Sequence, residues 1–304
     1  MELIRPDTKI DFIGKRKYAL LISTIVILIS FGSIFLHGGL KYGVDFAGGI
    51  LLQIRFSKSV DISEVRNGLE AVGSKDAMVQ KFGGENEFLI RIEKSSEELE
   101  ALSKKIQTSL QEQFKDKSLE VRRAEVVGPK VGKDLKTKAL WAVALSFAGI
   151  LIYVAFRFHT FSYGFGGIAA LVHDIIVTYG AISLFGIEYS LSTMAVILTI
   201  IGFSINDTIV IFDRVRENIK KLRKEDLATV MNVSINETLG RTILTTGTVM
   251  MVVLILFFFG GPVIHDFATA MIVGLITGTY STVYIASPVV LLWDQYVAKR
   301  LRRR

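Results

Sequence analysis

The sequence predicts a membrane all-α six-helix bundle that carries one external α+β domain of ferredoxin-like type. Two observations predict it. Half of the 304 residues are hydrophobic although 21% are charged, which requires the two kinds of residue to be segregated along the chain. They are segregated: between the charged stretches run apolar blocks of about 20 residues, the length that crosses a ~30 Å hydrocarbon core.

The blocks are Tyr18–Leu36, Ala139–Phe156, Ser162–Phe185, Leu191–Phe212, Thr242–Phe259 and Phe267–Trp293. Each is expected to be a helix, because a segment in lipid must satisfy its backbone hydrogen bonds internally. The first follows Lys15, Arg16 and Lys17 like a signal peptide, but its apolar core is longer and no small-x-small site follows. It reads as an uncleaved anchor. Three regions result: 1–37 as N-terminus and first helix, 38–136 as the external domain, and 137–304 as five helices with a loop and tail.

Within 38–136, Ile50–Phe56 alternates and is rich in branched residues, as in a strand. Ser63–Val72 has helical spacing, and Ala77–Phe82 and Glu87–Ile92 read as strands around a turn at Gly83-Gly84. Ser95–Phe114 reads as a charged amphipathic helix and Leu119–Val127 as a last strand. The order β-α-β-β-α-β is that of a ferredoxin-like module.

Lys and Arg set the expected orientation. They cluster at Arg5, Lys9, Lys15, Arg16 and Lys17, at Arg214, Arg216, Lys220, Lys221, Arg223 and Lys224, and at Lys299, Arg300, Arg302, Arg303 and Arg304. The turn Arg157–Phe161 is also basic, whereas Gly186–Ser190 and Gly260–Asp266 contain neither residue. Threading the blocks alternately puts all basic segments on one side. Both termini are therefore expected in the cytoplasm, with 38–136 outside. The net charge of +7 sits beside apolar blocks, which fits membrane topology and argues against nucleic-acid binding. With no cysteine, disulfides and cysteine metal sites are excluded.

An ionised group in hydrocarbon costs about 2.5–3.5 kcal/mol even on insertion scales, so each one needs a reason. Asp207, on the fourth block, shares a face with Ser204 and Ile211. Two readings stand for it: an interhelical hydrogen bond made by Asn206 or Asp207, or a carboxyl that binds and releases a proton as access switches. Arg241 opens the fifth block, with Thr245 and Thr248 on its face; it is either a snorkelling flank or the charge partner of Asp207. Asp174 lies mid-block in the third, on a face with the small residues Gly167 and Ala170, and is either a structural hydrogen-bonder or a second relay site. Its neighbour His173 reads as a packing residue. Gly274 and Gly278 form a G-x-x-x-G that signals close helix packing.

Enzyme signals are absent. There is no H-E-x-x-H, and Gly128–Asp134 is one residue too short between its glycines for a phosphate loop, with Asp where Ser or Thr is required. Without a nucleotide site or other cofactor, work must come from an ion gradient, which yields about 2.3 kcal/mol per charge per 100 mV.

The stretch Tyr42–Phe56 (YGVDFAGGILLQIRF) resembles the start of the external domain in the SecD/SecF family of protein-export membrane proteins. LVHDIIVTYG, GFSINDTIVIFDRVREN, ETLGRTILTTGT and FGGPVIHDF resemble that family's membrane region in the same order, and the length fits its shorter, SecF branch. The resemblance implies membership of the resistance–nodulation–division superfamily. It also implies a SecD partner, work beside the SecYEG channel on translocating preproteins, and a home in the lipid of the cell inner membrane. The family's intramembrane aspartate falls on Asp207 and its arginine partner on Arg241, while Asp174 matches the VHD motif. Phe212–Asn218 (FDRVREN) fits the family as well; its plainer reading is a solvated, basic helix start.

The expected function is a proton-motive-force-driven accessory subunit of protein translocation. A lone Asp with an Arg nearby favours H⁺, with Na⁺ as the alternative, since a Na⁺ site needs several oxygen ligands. Two rivals are a small-molecule or lipid exporter of the same superfamily and a passive translocon scaffold.

Overall fold

The computed structural model describes residues 8–74, 77–82, 84, 86–92, 99–158 and 161–301. Arg5, Gly83, the Ser95 start of the charged helix, the middle of the 157–161 turn, and Arg302, Arg303 and Arg304 lie outside the described residues. The chain divides into two compact units. One joins Tyr42–Trp141 with the short loop Glu188–Leu191; the other contains Ala142–Ile187, Ser192–Arg304 and the N-terminal segment through Lys41.

The first unit holds a four-stranded antiparallel sheet, β1 (Gly49–Phe56), β2 (Met78–Lys81), β3 (Glu87–Ile92) and β4 (Leu119–Val127), in the order β2-β3-β1-β4. That order is the split β-α-β arrangement of a ferredoxin-like module, as the sequence predicts. Period-2 alternation sends Ile50, Leu52, Ile54 and Phe56 of β1 and Phe88, Ile90 and Ile92 of β3 to one face. There they are covered by Val65 and Leu69 of one helix, Ile62–Ala71, and by Ile106 and Leu110 of another, Leu99–Gln113. Asp61 caps the first of these, accepting from the Ser63 N–H at 2.8 Å. A bulge between Gln53 and Ile54 shifts the β1–β4 register. A four-residue helix, Val44–Ala47, and a 3₁₀ turn, Lys115–Lys117, escape the sequence reading because neither spans enough residues to show a period.

The glycine pair after that short helix has a physical cause. Gly48 has φ +80°, in the left-handed region, and a Cβ there would lie 3.0 Å from Pro129 Cα. Backbone on the far side cannot yield as a flexible side chain would. Gly48→Ala is expected to lower the melting temperature of the purified protein through a loss of about 1–3 kcal/mol. An unchanged melting curve would remove the role assigned to this glycine.

In chain order, the long helices are α1 (Arg16–Leu36), then α2 to α4 (the three short helices Val44–Ala47, Ile62–Ala71 and Leu99–Gln113), α5 (Pro129–Phe158), α6 (Phe161–Leu184), α7 (Leu191–Lys221), α8 (Leu227–Phe259), α9 (Gly261–Ser281) and α10 (Ser287–Leu301). Among the described residues, six spans are long and apolar enough to cross a membrane, the last running through α9 into α10. Burial separates them. In α6, α7 and the last span, 56%, 56% and 61% of the apolar window is buried, against 6% in α5 and 11% in α8. The first three make the core, and the other two present apolar surface outward.

Helix boundaries correct the sequence reading. The fourth block does not stop at Phe212, and the fifth does not start at Thr242: α7 runs on to Lys221 and α8 begins at Leu227. The FDRVREN segment is therefore the end of a helix and not a solvated start. Phe212, Val215 and Asn218 are buried, and Asn218 Nδ2 donates to Ser234 Oγ (3.0 Å) and Glu237 Oε2 (2.6 Å) of α8. At 31 residues, α7 is about 46 Å long, well beyond the hydrocarbon thickness. Polar residues inside an apolar-block reading hide such extensions. The last block is not one α-helix either: Thr282–Ala286 is π-helical. Pro288 explains it, since proline lacks the N–H that would bond four residues back. The chain before α1 is also pinned. Asn232 Oδ1 accepts from the Phe12 N–H (2.8 Å), and the side-chain amides of Asn232 and Asn236 donate to Ile10 O.

Candidate functional site

The polar residues of the helical core meet around Asp174. Three helices bring them together, and small residues make this possible. A Cβ on Gly167 of α6 would lie 3.1 Å from Ile205 Cδ1 of α7, and one on Gly278 of α9 would lie 3.2 Å from Ser204 Cβ. At Gly274, a turn earlier, a Cβ would overlap the Ile200 side chain. The G-x-x-x-G pair is thus the seat of α7 on α9, and close backbone approach allows short side chains to bond across.

Asp174 is fully buried. Ser204 Oγ from α7 donates to its Oδ2 at 2.7 Å, and Ser281 Oγ from α9 donates to the same oxygen at 2.8 Å. On the other side, His173 Nδ1 lies 3.1 Å from Oδ1, so adjacent residues on one helix reach each other although their Cβ directions diverge. His173 lies against Tyr280 with ring centroids 5.9 Å apart, and the Tyr280 hydroxyl donates to Ala19 O of α1 at 2.6 Å. A polar thread therefore runs from α1 through α9 and α6 to α7. Next to it, the Thr208 and Thr282 hydroxyls lie 3.2 Å apart, at the start of the π-helical segment. Ser281, Thr282, Thr208 and Tyr280 are site residues that a search for intramembrane carboxylates and guanidinium groups misses. The signal available was Pro288 in the last block, since π segments recur at functional sites.

Asp207 sits one turn after Ser204 on the same buried face of α7, with Thr208 and Ile211 beside it. It is 3% exposed, and its Oδ2 has no hydrogen-bond partner among the described residues. Asn206, next to it, points away and is exposed. Arg241 lies on α8 and is exposed. Among the described residues, no ion pair within 4.0 Å joins Asp207 to Arg241. The structure thus gathers Asp174 with the serines, leaves Asp207 buried and partly unsatisfied, and places Arg241 outside ion-pair distance of it. A buried carboxyl with no fixed partner, one turn from a hydroxyl cluster, is free to exchange a proton or to take a new partner after a helix shift.

Comparison with known proteins gives the relatives of the chain as a whole. Residues 105–296 match the family model of the C-terminal region of the protein export membrane protein SecD/SecF, and residues 33–60 match the SecD/SecF GG motif. The chain is 44% identical to the protein translocase subunit SecF of Calditerrivibrio nitroreducens, covering 100% of this chain and 99% of that protein. It is 40% identical to SecF of Pseudomonas aeruginosa, covering 93% and 91%. Among solved structures, SecDF of Thermus thermophilus, a translocon-associated membrane protein, superposes with a TM-score of 0.84 at 36% identity. The alignment covers 96% of this chain but only 40% of that longer one. A SecDF structure in a super-membrane-facing form gives a TM-score of 0.73 at 35% identity, with 100% and 41% covered.

Proposed function

Because the chain belongs to the SecD/SecF family of multi-pass protein-export membrane proteins, we propose that it is an accessory subunit of the Sec translocation machinery, using the proton motive force together with SecD. In this reading it resides in the cell inner membrane with both termini in the cytoplasm and the α+β unit on the external side. Preprotein leaving the SecYEG channel meets that unit, whose movement hinders backsliding. No covalent catalysis is involved. The energy of about 2.3 kcal/mol per proton per 100 mV comes from the gradient.

The observation that carries the proposal is Asp207: a buried carboxyl on a membrane span, with one oxygen unsatisfied and a hydroxyl-lined cluster one turn away. Such a group is too costly to keep for packing alone. Asp207 is the proton carrier and Arg241 the cation that approaches it in the alternate state, which favours the ionised carboxylate and releases the proton. Asp174, whose Oδ2 already accepts two serine hydroxyls, is the supporting polar site that ties α6, α7 and α9 together. A two-state device requires the gradient to favour one arrangement over the other.

The test uses inverted membrane vesicles containing the complete translocation complex, with and without this chain. Export stimulated by the chain should vanish when a protonophore collapses the gradient and survive collapse of a Na⁺ gradient. Stimulation that persists without either gradient would leave a scaffold as the better reading, and dependence on Na⁺ alone would replace the coupling ion.

A further inference from the structure

The second face of the sheet carries a buried charge that alternation in β3 does not anticipate. With Phe88, Ile90 and Ile92 turned to the helices, Leu89 and Arg91 point the other way, where an Arg is ordinarily solvated. Arg91 is instead 8% exposed, beside Leu51, Leu89 and Val44. Its guanidinium is paired with Glu188. Glu188 belongs to the loop Glu188–Leu191, which is part of the α+β unit although it lies between α6 and α7 in sequence.

Further bonds hold the loop there. Gly43 N–H donates to Tyr189 O at 2.9 Å, and Tyr42 and Tyr189 form a parallel bridge. The Tyr189 ring stacks on Phe46 with centroids 5.2 Å apart and meets Tyr42 edge-on at 5.9 Å. The Leu191 N–H, the first of α7, donates to Asp45 Oδ2 at 2.9 Å. A carboxylate at this position satisfies one of the helix's unpaired donors and complements its dipole. From Leu191 the helix continues without a break past Asp207 to Lys221.

We propose that Arg91, Glu188 and Asp45 form a permanent clamp that keeps the loop Glu188–Leu191, and with it the first residue of α7, fixed to the sheet. Displacement of the α+β unit is thereby delivered along the helix that carries Asp207, and the reverse. This inference rests on the function proposed above. The three are positioning residues: none exchanges the proton. A desolvated Arg with two-point backbone anchoring beside it suits a clamp that stays closed, since opening would strand a buried charge.

The test compares Glu188→Ala and Asp45→Ala with the parent chain in vesicles containing the complete complex, and reads proton uptake and export separately. Clamp loss should lower export on the order of tenfold while leaving proton uptake near the parent level, a slip within the usual range of coupling energies. The charge swap Arg91→Glu/Glu188→Arg should recover export. The chain has no native cysteine, so Arg91→Cys/Glu188→Cys can be joined by a short bis-maleimide. This covalent link should restore export to the otherwise uncoupled pair. Normal export by Glu188→Ala, or parallel loss of proton uptake and export, overturns the clamp. So does a linked pair that reaches the membrane but stays inactive, because the contact would then have to open. Asp207→Asn, run alongside, separates the two proposals: if it exports normally, the motor reading itself has failed.

Discussion

Asp207→Asn is expected to abolish gradient-stimulated export while leaving the protein assembled in the membrane. The amide has nearly the size and shape of the carboxyl, and the site is 3% exposed, so packing is kept. Oδ2 makes no hydrogen bond among the described residues, so the substitution removes no fixed contact at that atom. What it removes is the ability to exchange a proton, which an amide lacks at any pH a membrane meets. Stability should therefore change little and function completely, the signature of a carrier and not of a structural acid. The measurement is precursor accumulation in cells whose only copy carries the substitution, with membrane level and SecD co-purification followed in parallel. Asp207→Glu should retain part of the activity. Normal export from a fully assembled complex would end the carrier assignment.

Asp174→Leu is expected to act in the opposite way, through stability first. Leucine fills the volume but removes the acceptor that Ser204 and Ser281 share and the His173 contact in a fully buried site. Interhelical hydrogen bonds in membranes are worth about 0.6 kcal/mol on average and about 1.7 at most, so the two serine bonds amount to about 1–3 kcal/mol. In detergent, this should appear as a large fall in melting temperature and reduced accumulation. Asp174→Asn keeps an oxygen that both serines can reach, and should recover most of the stability. Export by this second variant then decides the role. Full activity fixes Asp174 as the knot between α6, α7 and α9, whereas lost export with intact folding makes it a second relay.

Much of this architecture was legible in the residues themselves. The six spans follow from apolar length, because lipid forces a lone segment to close its own hydrogen bonds. The sheet follows from alternation at Ile50–Phe56 and Glu87–Ile92, whose strand limits match to within a residue. Asp207 was marked by being an acid inside an apolar helix. The extension of α7 to Lys221 was not legible, since Arg214 looks solvated until Glu237 of α8 comes beside it.

What the sequence by itself determined is which segments enter the membrane, which fold class the intervening residues adopt, and which ionisable groups are out of place. These depend on local quantities: hydropathy over 20 residues, side-chain period, and the cost of one charge in hydrocarbon. Only the tertiary structure decided who partners whom. That Asp174 takes serines from α7 and α9, that Asp207 keeps an oxygen free, and that Arg91 is neutralised by Glu188 each depend on where separate elements come to rest. Hydrogen bonds and ion pairs act over about 3 Å, whereas their partners here lie far apart along the chain, and no local pattern encodes that approach.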